Sequence, residues 1–158
     1  MLAVPVLITA SVTGLLPLQI VRVNAGSMTP TLEQGDLVVV DRTDSDVHRR
    51  DVVVAESPRD GSLLVKRAVA VGGDTVGIED GVLVVNGASV CEPGVDPALV
   101  DGMYFGPVTV PDGAVFLLGD HRDGSIDSRE FGAVPLSSVV GEVEGRLFPP
   151  GSVPTETC

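Results

Sequence analysis

Residues 63–90, LLVKRAVAVGGDTVGIEDGVLVVNGASV, decide the fold. Valine-rich runs alternate here with pairs of turn residues, and β-branched side chains suit a pleated, half-buried surface. Leu63 to Val71 reads as one long strand that stops at the Gly72-Gly73 turn. Asp80-Gly81 and Asn86-Gly87 flank Val82 to Val85, and both dipeptides carry tight hairpin chemistry. The same grammar extends outward. GDLVVVDR (35–42) and RDVVVAE (50–56) are short valine runs bounded by turn residues, and GPVTVPDGAVFLLGD (106–120) adds two strands around Pro111-Asp112-Gly113. Between them CEPGVDPALVDGMYFG (91–106) has no period and reads as a loop. The expected fold is mainly β, an antiparallel, barrel-like domain.

At 158 residues the chain has room for one compact domain. Its formal net charge of −12 builds no basic surface, so nucleic acid is not an expected partner. Neither metal-ligand spacing nor a phosphate-cradling glycine loop is present, and no metal or organic cofactor is expected. Cys91 and Cys158 are too distant in sequence for a C-x-x-C site. They could pair as a disulfide in an oxidising compartment.

The N-terminal stretch from Leu2 to Val21 has no charged residue, about the length that crosses a bilayer core. Pro5, Gly14, Pro17 and Gln19 interrupt it, leaving Leu2 to Leu16 as the helical part. Residues 1–21 are therefore expected to be a membrane anchor, and residues 22–158 the β domain. A buried core helix and a cleavable signal peptide ending near Val23-Asn24-Ala25 are the competing readings. No Lys or Arg precedes the run, which removes the usual basic cue.

Just after the apolar run lies NAGSMTPTLEQGD (24–36), with Ser27 as a potential nucleophile. A serine hydroxyl needs a base within hydrogen-bonding reach. The two histidines, His48 and His121, are candidates, and so is Lys66. On a strand, Lys66 shares a face with Leu64 and Ala68, while Arg67 shares the other with Val65 and Val69. If the Lys66 face is buried, desolvation lowers the amine's pKa towards neutrality. The bland alternative is a solvated strand lysine. A third stretch, GDHRDGSIDSREFG (119–132), follows an apolar run and so sits at a strand end. Ser125, Asp127, Ser128 and Arg129 could orient a nearby amine and brace the loop with an Asp–Arg pair. They could equally be a solvated loop whose charges satisfy one another.

Taken together these stretches resemble the type I signal peptidases, membrane-bound serine–lysine proteases. Ser27-Met28-Thr29-Pro30-Thr31-Leu32 with Gly35-Asp36 resembles the nucleophile box. Arg50-Asp51-Val52-Val53-Val54 is similar to the next box without its usual glycine. Lys66-Arg67 before Gly72-Gly73-Asp74 resembles the lysine box, and Gly119-Asp120-His121-Arg122 with Ser125, Asp127, Ser128, Arg129 and Gly132 the last. The resemblance implies that Ser27 is the nucleophile, Lys66 the general base, and Ser125 the hydroxyl that orients the amine. Asp127 and Arg129 take supporting ion-pair positions, and the Ser27 N–H contributes to the oxyanion hole. It further implies a single-pass cell-membrane protein with an extracytoplasmic catalytic domain, in which residues about 75–112 form a reduced inserted β region. The implied partners are membrane lipid and secretory preproteins with small residues before the cut.

Two departures stand out. Ala25 replaces a serine that often supplies a second oxyanion donor, and His121 replaces an asparagine. They keep two alternatives in view: a dedicated maturation protease of the same family, and a catalytically impaired, membrane-tethered β binding domain. A self-cleaving repressor protease would need a DNA-binding domain where the apolar segment stands. A Ser-His-Asp hydrolase would need the G-x-S-x-G elbow that Ser27 lacks.

Overall fold

The computed structural model describes residues 17–43, 46–92, 94–95, 100 and 102–153. All pairing among them is antiparallel and falls into two sheets. The larger contains β1 (Leu18–Arg22), β2 (Leu37–Asp41), β3 (Val52–Glu56), β4 (Leu63–Val71), β9 (Ala114–Leu118), β10 (Val134–Pro135) and β11 (Val139–Phe148). Its order is β1-β2-β11-β3-β4-β9-β10. The smaller contains β5 (Thr75–Glu79), β6 (Val82–Val85), β7 (Ala88–Ser89) and β8 (Phe105–Thr109), in the order β7-β6-β5-β8.

The hairpin chemistry is seen directly. Asp80 and Gly81 have φ of 50° and 78°, and Asn86 and Gly87 have 54° and 77°. Positive φ at both central residues gives the turn the twist of the strands it joins. Three further features go beyond the sequence reading. First, among the described residues the larger sheet runs from β1 to β10 without closing on itself, an open form of the barrel-like domain. Second, the two strands around Pro111-Asp112-Gly113 do not form a hairpin: β8 pairs with β5, and β9 with β4. Third, β11 lies between β2 and β3 and pairs with both, with register shifts that turn it from one to the other.

The anchor boundary also needs correction. Leu18 to Val21, placed in the anchor, belong to β1, which pairs in register with Leu37–Asp41. Their backbone polar groups are met by a neighbouring strand, and side chains alternate between half-buried Gln19 and Val21 and exposed Leu18 and Ile20. The proposed helical stretch from Leu2 to Leu16 lies outside the described residues. No helix among the described residues is long and apolar enough to cross a membrane.

Three apolar clusters hold the sheets together. One joins them: Ile78, Leu83 and Val85 of the smaller sheet pack with Val69, Phe116 and Leu118 of the larger. A second carries the segment after β1, where Met28 and Leu32 pack with Val38, Val40, Val52, Val54 and Val143. A third covers the opposite side with Val53, Ala68, Val115 and Leu117. Burial of this kind is the main favourable term in folding. Here it also fixes where Ser27 stands, because Met28 next to it and Leu32 a turn further on are buried pegs.

Candidate active site

Two loops and one strand converge. The segment from Gly26 to Leu32 is a compact turn in which the N–H of Thr29 donates to the Gly26 carbonyl and that of Leu32 to Met28. Ser27, partly exposed, sits at its start. Lys66 lies mid-way along β4, opposite Val53. Lys66 Nζ is 2.5 Å from Ser27 Oγ, in hydrogen-bond contact. This lysine is the only one in the chain.

Lys66 is 4% exposed, and its strand neighbours Ala68 and Leu64 are buried and half-buried. Burial pushes its pKa below the ordinary 10.5; the charges of Asp127 and Asp120 pull it back up, and that of Arg129 adds to the lowering. Desolvation disfavours an ammonium because the low-dielectric surroundings cannot replace its hydration.

The loop after β9 supplies the rest. The short helix α1 (Ser128–Phe131) is capped by Asp127, whose side chain accepts the Arg129 N–H. Arg129 also grips this carboxylate through Nε to Oδ1 at 2.8 Å and Nη2 to Oδ2 at 2.9 Å. The Gly119 N–H donates to Oδ2 at 3.0 Å. Burial opposes ionisation of Asp127. The hydrogen bonds from Arg129 and Gly119, the Arg129 charge and the neighbouring Ser125 hydroxyl outweigh it, and they hold the pKa below the ordinary 3.8. Asp127 is therefore a fixed anion, and Arg129 its counter-ion. Nη2 of Arg129 donates as well to the carbonyls of Arg122 and Ser125, closing the loop on itself.

Ser125 departs from expectation. Its hydroxyl is buried but makes no aligned hydrogen bond, either to Lys66 or to any other described residue. It rests against Gly119, where a Cβ would meet Ser125 Oγ at 2.2 Å and the Ser27 carbonyl at 2.5 Å. Gly119 is thus the seat on which the nucleophile's backbone and the Ser125 side chain both lie. The His121 N–H donates to the same Ser27 carbonyl at 3.0 Å, so the backbone of residue 121 ties the two loops together whatever its side chain. Ala25 is exposed and carries no side-chain donor.

A buried network behind the dyad was not singled out from sequence. Arg67, next to Lys66, donates through Nε and Nη2 to both oxygens of Asp120, at 2.9 and 2.7 Å. Thr31 Oγ1 donates to Asp120 Oδ2. Arg67 Nη1 donates to the Arg50 carbonyl at 2.9 Å. The bidentate fork fixes geometry as well as charge. It links the nucleophile turn, the lysine strand and the loop after β9 at one point. His48 is exposed and contacts Asp51. Among the described residues no group of His, Cys, Asp and Glu could hold a metal ion.

Residues 1–148 match the family model for signal peptidase, peptidase S26. The chain belongs to this signal peptidase family. It is 37% identical over 142 residues to a signal peptidase I of Bacillus caldolyticus, covering 80% of this chain and 78% of that one. It is 33% identical over 162 residues to a probable signal peptidase I-1 of Synechocystis, covering 92% and 81%. Among solved structures, a signal peptidase I from Enterococcus faecalis superposes with a TM-score of 0.56 at 34% identity. That match covers 61% of this chain and 96% of the other. The signal peptidase family is one of serine endopeptidases, and the function of this member is signal peptidase I-like.

Proposed function

We propose that Ser27 and Lys66 are the nucleophile and general base of a signal peptidase that cleaves exported preproteins at the membrane surface. The observation that carries this reading is the 2.5 Å contact between Ser27 Oγ and a lysine nitrogen that is almost wholly buried. With Lys66 neutral, the Ser27 hydroxyl donates to Nζ, and the lone pair left on oxygen attacks the scissile carbonyl carbon. The tetrahedral oxyanion faces the Ser27 N–H. The Lys66 ammonium then returns its proton to the leaving amine as the C–N bond breaks. Water, deprotonated by Lys66, hydrolyses the acyl-enzyme. Asp127 and Arg129 brace the loop that carries Ser125 and Gly119, the seat of Ser27.

The membrane setting has its own support. The uncharged stretch from Leu2 leads directly into β1, where Leu18 and Ile20 are exposed, and Phe148 at the end of β11 is 69% exposed. Large exposed apolar groups on the two strands that flank β2 suit a lipid surface. Cys91 is disulfide-bonded, which fits an oxidising compartment outside the cytoplasm. Cys158, the other cysteine of the sequence, lies outside the described residues. We read residues 1–16 as the anchor, and the segment holding the smaller sheet as an insertion into the protease domain.

The test is cleavage of a model preprotein in detergent by wild type, Ser27→Ala and Lys66→Arg. Both variants are expected to lose at least about 10³-fold in kcat, since members of a catalytic unit fail together. A guanidinium stays protonated and cannot act as the base. Near-normal cleavage by Lys66→Arg would overturn the reading.

A further inference from the structure

A buried ion pair reaches this site from a segment that none of the sequence motifs includes. The Arg122 side chain is fully buried; its Nη2 donates to Glu92 Oε1, and its Nε donates to the Gly119 carbonyl at 3.0 Å. Its Nη1 has no hydrogen-bond partner among the described residues. Glu92 lies in the period-free loop that follows β7, and its side chain is also largely buried. Gly119 is therefore held at both polar groups, its N–H by Asp127 and its carbonyl by Arg122. The Arg122 carbonyl in turn accepts from Arg129 at 2.7 Å. Two residues beyond Glu92, Gly94 presses on the second buried unit, where a Cβ would meet Thr31 Oγ1 at 2.7 Å and Asp120 Oδ2 at 3.1 Å. One short stretch of loop thus touches both ion-pair systems behind the dyad.

We propose that Glu92 is a positioning residue for the cleavage reaction: by neutralising buried Arg122 it fixes Gly119, the seat of Ser27 and Ser125. A guanidinium left buried without a counter-charge is strongly disfavoured, so the side chain would leave for solvent. Its departure frees the Gly119 carbonyl and loosens the seat of Ser27, whose hydroxyl meets the Lys66 amine. This inference rests on the serine–lysine reading given above.

The test compares wild type with Glu92→Gln, which keeps the shape and removes the charge. Steady-state cleavage of a model preprotein in detergent is measured across pH. Glu92→Gln is expected to lower kcat about tenfold with KM within twofold. Its acid limb should move to higher pH, because water reaching Lys66 undoes part of the desolvation. The charged groups facing Lys66, namely Asp127, Asp120 and Arg129, are the same in both proteins. In an Arg122→Met background, adding Glu92→Gln should change kcat less than twofold, since its target is gone. A merely structural Glu92 would lower thermal stability and leave the pH profile in place. If Glu92→Gln yields too little folded protein, Glu92→Asp carries the same readouts, with a smaller loss expected from the retained charge. Unchanged kcat and pH profile in Glu92→Gln, or an equal loss with and without Arg122, would overturn the proposal. The dyad fails separately, if wild type itself shows no acid limb or if Lys66→Arg stays active.

Discussion

Gly119→Ala probes the geometry of the site without touching a group that does chemistry. A Cβ at this position would stand 2.5 Å from the Ser27 carbonyl oxygen and 2.2 Å from Ser125 Oγ, whereas ordinary contact begins at 3.4 Å. Ser125 can turn away at the cost of a rotamer. The Ser27 carbonyl cannot, because it is main chain and already accepts the His121 N–H at 3.0 Å. The nucleophile's backbone must then retreat by roughly 1 Å, and a misplacement of that size costs about 10²-fold in rate. The overpacking itself should cost about 1–3 kcal/mol of stability. Single-turnover cleavage at saturating preprotein, alongside a thermal melt, separates the two effects. Binding should change little, because Gly119 lies behind Ser27. A Gly119→Ala enzyme that kept kcat within twofold of wild type would refute the claim that Gly119 seats the nucleophile.

Other outcomes follow from the buried charges. Asp120→Asn leaves the Arg67 guanidinium without its counter-charge and should cost about 3–5 kcal/mol by urea denaturation, more than the paired change Arg67→Met with Asp120→Leu. Asp127 has a folded-state pKa below its ordinary 3.8, so its stabilising effect is complete above 3.8 and is lost as pH falls through the lower folded value. Asp127→Asn should therefore flatten the acid side of the stability profile measured by denaturant midpoint below pH 4. An unchanged profile would mean that another carboxylate governs that limb.

Much of the fold was legible because its signals are local. Valine runs bounded by turn residues located β2 to β4 and β6, and the positive φ values at Asp80-Gly81 and Asn86-Gly87 show why those dipeptides are needed. What sequence could not give was pairing. The two strands around Pro111-Asp112-Gly113 join different sheets, since partners are chosen by non-local packing. β11 was hidden because Gly141, Glu142, Glu144 and Gly145 break its apolar alternation. Gly141 is there for a close approach: a Cβ would meet the Asp41 carbonyl at 2.1 Å. β1 was absorbed into the apolar run, whose composition does not distinguish a strand from a span. In the site, the motifs brought Ser27, Lys66, Asp127 and Arg129 into one hypothesis, and the structure places them together. Ser125 is present but holds no hydrogen bond to the amine. Glu92 had no local signal at all, as its partner lies 30 residues away.

The central claim is that Lys66 is a neutral amine when it meets Ser27. Because the chain contains a single lysine, labelling with ¹³C-lysine gives one side-chain Cε signal that needs no assignment. Its titration can be followed by NMR in the detergent-solubilised Ser27→Ala protein and compared with the pH–rate profile of wild type. The expected midpoint lies clearly below the ordinary 10.5 and matches the acid limb of kcat. A midpoint at or above 10.5, with cleavage proceeding at full rate while the signal is still that of the ammonium, would contradict it.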